Sequence, residues 1–304
     1  MPLLSEETLA RLNKFQLMAK SIVEGFLVGL HKSPYHGFSA EFSDHRQYNP
    51  GEPLKDLDWK ILAKTERYYI KRYEEETNLR SYVLLDHSKS MFFSSGKESK
   101  IEYAKASLNS EKIEYATQLA GALIWLMISQ KDAAGLYTFN NKITSAYPPK
   151  AIRSYTSQLF TALINLKADD KTDLLTPLHQ IAELIKKRSL IILISDLLDD
   201  PEKIMESLKH FRARNNEVLV FHIVDPKEEK FDYKREAQFI DSETGEKITV
   251  SPWQIRKEYQ ENYHYFTDYL KKECYKHQIE YNPVDTYTPI EDLLLKYLIK
   301  RNKG

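Results

Sequence analysis

The chain has 304 residues, of which 44 are Lys or Arg and 44 Asp or Glu, so its formal net charge is zero, and 42% of it is hydrophobic. That excludes wholesale disorder and allows one large α/β domain with additions, or two domains. Charge balance speaks against a dedicated nucleic-acid binder, which shows a basic excess or stripe.

One cysteine, Cys274, rules out an internal disulfide framework, which fits a reducing cytoplasm. It reads as a small half-buried hydrophobe rather than a catalytic thiol. The start, Met1-Pro2-Leu3-Leu4-Ser5-Glu6-Glu7, lacks the basic residues and apolar run of a secretory signal. The most apolar stretches, Leu119 to Ile128 and Leu190 to Ile194, are far shorter than the roughly 20 residues that cross a bilayer. The expectation is a soluble, cytoplasmic protein with no membrane span.

In chain order, Leu9, Leu12, Phe15, Leu17, Ile22 and Val23 give an apolar stripe with helical spacing, and Gly25-Phe26-Leu27-Val28-Gly29-Leu30 reads as a strand. Arg46 to Lys60 is dense in charge and aromatic residues, with Tyr48, Trp59, Asp56 and Asp58 around an Asn49-Pro50-Gly51 turn. It suits either an ion-paired lock or a recognition surface. Tyr68 to Glu76 reads as a strand. The chain is then organised around Arg80-Ser81-Tyr82-Val83-Leu84-Leu85-Asp86-His87-Ser88-Lys89-Ser90-Met91, a run of β-formers that ends in an acid followed by hydroxyls at alternate positions. Such a strand is buried on both faces of a parallel sheet.

Lys100-Ile101-Glu102-Tyr103-Ala104 recurs as Lys112-Ile113-Glu114-Tyr115-Ala116. One copy pair is not a solenoid, and it reads as a short duplication that lengthens the approach to one helix. The second copy runs into a segment, Leu119 to Met127, that is apolar all round and so suits a helix buried on a sheet. Strands follow at Ala134 to Phe139, Leu190 to Ile194 (ending in Ser195-Asp196), Val218 to Val224 (ending in Asp225) and Ile279 to Val284. Helices are expected over about 152–166, 177–187, 201–214, 252–277 and 289–301, with a hairpin insertion over about 227–251. Apolar strands alternating with helices specify a doubly wound, mostly parallel α/β sheet. The division expected is an N-terminal extension, 1–78, and the α/β domain, 79–304.

In such a sheet ligands bind at the carboxyl ends of the strands. Asp86, Ser88 and Ser90 lie on one loop there, and Asp196 ends another strand at the same edge. Paired carboxylates need a cation or a shared proton, and an all-oxygen set suits Mg²⁺ or Mn²⁺ better than Zn²⁺.

D-x-S-x-S, then a Thr, then an Asp after an apolar strand resembles the metal-ion-dependent adhesion site (MIDAS) of von Willebrand factor type A domains. That resemblance implies a metal set of Asp86, Ser88, Ser90, Thr172 and Asp196, with Thr176 as the alternative to Thr172. Upstream, Gly37, Glu41-Phe42, Arg46-x-Tyr48-x-Pro50-Gly51 and Asp58-Trp59-Lys60 resemble domain-of-unknown-function family 58, whose members carry a von Willebrand type A-like core. Ser195-Asp196-Leu197-Leu198, Val224-Asp225-Pro226 and Asp241-x-Glu243-Thr244-Gly245 agree with it; Glu52 replaces a common Asp.

The resemblance implies a non-enzymatic, Mg-dependent protein-binding module or adaptor. Its partner would offer a carboxylate to the metal, and a MoxR-type AAA+ ATPase would work beside it. No Walker A loop occurs, so any ATP hydrolysis falls to that ATPase. The rival from the residues is a Mg-dependent hydrolase or phosphotransferase using Asp86, Ser88 and Asp196. A third reading is an oligomerising protein that grips another subunit through Arg46 to Lys60.

Overall fold

The computed structural model of the protein describes residues 6–32, 46–47, 69–70, 79–92, 111–167, 173–231, 237–240, 247–250 and 252–301. The chain divides into two compact units, Met1–Gly29 with Leu79–Gly304, and Leu30–Asn78. In the second unit β1 (Arg46–Gln47) pairs antiparallel with β2 (Tyr69–Ile70). The rest of the Arg46 to Lys60 motif lies outside the described residues, as does the first copy of the repeated pentapeptide.

The first described element, α1 (Glu6–Lys32), corrects one expectation: Gly25 to Leu30 continue this helix and form no strand. A six-residue apolar run cannot separate strand from helix by pattern alone. Here a helix already under way carries the run, and glycine costs it only about 1 kcal/mol per residue relative to alanine.

The larger unit is built on a six-stranded sheet of order β10-β7-β6-β3-β4-β5. Its strands are β3 (Arg80–Asp86), β4 (Ala133–Phe139), β5 (Ile143–Lys150), β6 (Leu190–Ser195), β7 (Glu217–Val224) and β10 (Glu280–Asp285). All pairings are parallel except that of β5 with β4. The doubly wound, mostly parallel α/β sheet expected from the sequence is therefore present. A separate hairpin, β8 (Ala237–Ile240) and β9 (Lys247–Val250), lies within the expected insertion.

Burial explains the strand sequences. From Ser81 to Asp86 and from Leu190 to Ser195 every residue is buried, which requires cover on both faces of the sheet. One face packs α4 (Leu175–Leu184), α5 (Pro201–Ala213) and α7 (Pro252–Lys276), through Leu178, Ile181, Ile204, Leu208, Leu270 and Cys274. On the other side α1 meets α2 (Glu111–Ser129) and α3 (Tyr155–Ile164). The Phe15 and Phe160 rings stack edge-on at 5.0 Å. A Cβ on Gly121 would come within 2.7 Å of the Phe15 ring, so the missing side chain in α2 is what lets α1 approach. Two further helices, α6 (Pro226–Lys230) and α8 (Ile290–Arg301), follow β7 and β10.

β5 behaves as an edge should. Its burial alternates, and it carries Pro148 and Pro149, which cannot donate to a further strand. The chain lays down β3, β4 and β5 outward on one side, then returns to lay β6, β7 and β10 on the other. The reversal falls between β3 and β6, the switch point at which open α/β sheets carry their ligand crevice, at the carboxyl ends of the strands.

Candidate metal centre

β3 and β6 are parallel neighbours in register up to Leu85 opposite Ile194, so the residues that follow emerge side by side. Asp86 closes β3 and Ser195 closes β6. The Ser195 hydroxyl donates to Asp86 Oδ2 at 2.6 Å, and the Ser88 backbone N–H donates to Asp86 Oδ1 at 2.8 Å. The second bond folds the loop back over the end of β3. Ser88 and Ser90 hydroxyls meet at 3.0 Å, and Ser90 Oγ donates to Asp196 Oδ1 at 3.2 Å. Four of the five residues expected at the site thus form one hydrogen-bonded chain.

The backbone is strained on the β6 side. Leu197 adopts a left-handed conformation, φ 52°, unusual for a bulky residue, while its side chain is buried. Its N–H donates to Ser195 Oγ at 2.9 Å. This hydroxyl therefore accepts from one loop and donates to the other, tying them together.

The two acids are neutralised differently. Asp86 is fully buried, and burial first, then the Asp196 charge, pushes its carboxyl up to about 7; bonds from Ser195 and Ser88 only partly offset this. Asp196 instead meets a cation. Lys112, in the first turn of α2 and wholly buried, donates to Asp196 Oδ2 at 2.8 Å and to Glu228 Oε1 at 2.8 Å. Burial works to lower the Lys112 ammonium, but Asp196 and Glu228 outweigh it and hold it above the usual lysine value. Nearby His222, buried and bonded to the Tyr281 hydroxyl at 2.6 Å, is pushed down to about 4 by burial and stays neutral near pH 7.

A match to the family described as "Protein of unknown function DUF58" covers residues 44–266, well over half the chain. The chain belongs to the DUF58 family. Relatives include uncharacterized proteins of Mycobacterium tuberculosis and Mycobacterium bovis, each 23% identical over 239 residues, 78% of this chain and 71% of theirs. Similar solved structures include the hypothetical protein BatB from Bacteroides thetaiotaomicron (15% identical, 74% of this chain and 100% of that one, TM-score 0.45). An aerotolerance-related membrane protein from Bacteroides fragilis shows the same identity and coverage at TM-score 0.48. The SpRpn10 VWA domain is 15% identical over 70% of this chain and 92% of that one, at TM-score 0.36. The DUF58 chain has a doubly wound, mostly parallel α/β core. Among its described residues no helix is long and apolar enough to cross a membrane.

The DUF58 site fits a hard divalent cation on three observations. Cis oxygens around Mg²⁺ at ~2.1 Å lie about 3.0 Å apart, which is the Ser88–Ser90 spacing. Asp86 and Asp196 repel one another in a buried place, a repulsion that a cation relieves. Asp225, which ends β7, is fully buried; one oxygen caps α6 through the Lys227 N–H at 2.7 Å, and the other has no hydrogen-bond partner among the described residues.

Thr172, the remaining expected ligand, lies outside the described residues. The alternative, Thr176, is exposed and gives its hydroxyl to Asp173 Oδ2 at 2.7 Å. His87 turns out of the crevice, with Nε2 2.7 Å from Thr144 Oγ1 and Nδ1 3.0 Å from the Lys167 carbonyl.

Sequence reasoning missed Lys112, Glu228 and the role of Ser195. The available signal for Lys112 was its place: a lone cation opening a helix that is otherwise buried. For Glu228 it was proximity to Val224-Asp225-Pro226, a strand end at the same edge.

Proposed function

We propose that this DUF58 protein is a non-enzymatic, Mg²⁺-dependent protein-binding module of the cytoplasm, an adaptor for a MoxR-type AAA+ ATPase. The observation that carries the reading is the Asp86–Ser88–Ser90–Asp196 chain at the sheet's reversal point. Those four residues, with Thr172 by resemblance, are the ones to hold the metal. A bound Mg²⁺ supplies an open coordination position for a carboxylate of the partner.

The residues themselves speak against hydrolysis or phosphoryl transfer. Both Asp86 oxygens are engaged inside the protein, so the carboxylate is poorly placed as a nucleophile. The Ser88 hydroxyl is held between the Ser90 hydroxyl and the Asp86 carboxyl, which is itself already engaged by Ser195, and the neighbouring imidazole of His87 is committed elsewhere.

Isothermal titration of Mg²⁺ and Mn²⁺ into chelator-treated protein tests the reading, with Asp86→Ala as control. Binding by the wild type that vanishes in a natively folded D86A supports it; no binding at millimolar metal removes the metal-assisted mechanism. Capture of a MoxR-type ATPase in Mg²⁺, lost in a chelator, tests the partner.

A further inference from the structure

The buried lysine behind the site belongs to none of the ligand positions, yet its ammonium touches one of them directly. Lys112 Nζ sits 2.8 Å from Asp196 Oδ2, while Asp196 Oδ1 faces Ser90 at 3.2 Å. One carboxylate is thus shared between an internal ammonium and the crevice. The ammonium is itself clamped from the far side by Glu228 Oε1 at 2.8 Å. Glu228 lies in α6, the helix capped by Asp225, so the clamp joins the start of α2 to the loops after β6 and β7.

Charge defines what this arrangement does. Asp196 and Glu228 set two carboxylates against one ammonium, Asp86 lies within the field of Asp196, and Asp225 adds its field to that on Glu228. Neighbouring His222 contributes no positive charge near neutral pH. The site attracts a cation, but the one already built in has taken part of the available negative charge. A like charge so close, in a place from which water is excluded, acts with little screening.

We propose that Lys112 is a tethered counter-cation that tunes the site. It orients Asp196 toward the crevice when no metal is bound, and by its own charge it keeps divalent binding weak enough to be reversible. This rests on the metal-assisted reading above and adds its regulation: affinity is set by the Lys112–Glu228 pair, outside the ligand shell.

Mn²⁺ titration into chelator-treated full-length wild type, Lys112→Met and Glu228→Gln, with circular dichroism on each, tests the proposal. K112M removes the competing charge and is expected to bind Mn²⁺ at least tenfold tighter. E228Q leaves the ammonium with less compensation and is expected to bind several-fold more weakly. Opposite shifts are the signature; a lysine that merely props the fold weakens binding in both variants. Unchanged or weaker binding by natively folded K112M overturns the proposal. Should K112M fail to fold without metal, E228Q decides: weaker binding supports the proposal, and equal or tighter binding overturns it. Binding by K112M alone, with none by wild type, upholds the counter-cation and removes the metal-dependent function. Binding by neither removes both.

Discussion

Asp86 and Asp196 lie at the ends of neighbouring strands and are almost equally buried, yet the protein satisfies them by opposite means. Asp86 receives neutral donors, the Ser195 and Ser88 hydroxyls and the Ser88 backbone N–H, and its carboxyl rises to about 7. Asp196 receives an ammonium brought from a helix 84 residues away in sequence. The contrast shows a site divided into a half that is neutralised in advance and a half left short of positive charge. The lysine serves the first half; a cation at the proposed site would complete the second.

The largest test of this division is removal of the lysine. Breaking a buried pair from one side leaves charges uncompensated, so K112M is expected to lose about 3–5 kcal/mol in chelator, read from urea unfolding. Asp86→Asn removes an unneutralised charge instead, and is expected to leave stability in chelator unchanged or raised. Loss of equal size in both would abolish the distinction between the two acids.

Next comes pH. The folded value for Asp86, about 7, exceeds the unfolded value of about 3.9. Its contribution is therefore fully present below about pH 4 and lost as pH rises through about 7. Without metal, the wild type should lose thermal stability across that range relative to D86N, and saturating Mg²⁺ should flatten the difference. His222 acts in another window. Its folded value, about 4, lies below the unfolded one, so the stability it gives is lost as pH falls from about 6.5 toward 4, in both proteins alike.

Smaller effects locate the join between the halves. Ser195→Ala removes the donor to Asp86 and the acceptor for the Leu197 N–H, both buried, and should cost about 1–3 kcal/mol. Ser90→Ala breaks the contact with Asp196 at the more open rim and should cost about 0.5–1.5 kcal/mol. Urea midpoints for the two variants measure both. A larger loss for S90A than for S195A would mean that the loops are tied at the rim rather than at the strand ends.

Much of this was legible in the sequence for a physical reason. Strands buried on both faces must be apolar throughout, so an acid or hydroxyl where they stop stands out, as at Asp86, Ser195-Asp196 and Val224-Asp225. The four residues proposed to hold the metal sit on such strand ends or on the turn beside them. Lys112 was hidden because its local sequence is shared. Lys100 and Lys112 open identical pentapeptides, and only the tertiary position of α2 makes Lys112 a buried ion. The reading of Gly25 to Leu30 as a strand failed on length: the run was judged alone, whereas the helix before it carried the backbone onward. Glycine spacing was a weaker guide than continuity.

Cys274 offers a consequence of another kind. It is the chain's sole thiol, 1% exposed, its sulfur 3.7 Å from that of Met205, and burial pushes the thiol up to about 12. A thiol reagent added to native protein can reach it only when α7 parts from α5, so the labelling rate times that breathing motion. The protein thus carries an internal clock for one seam of its own core, read without any introduced probe.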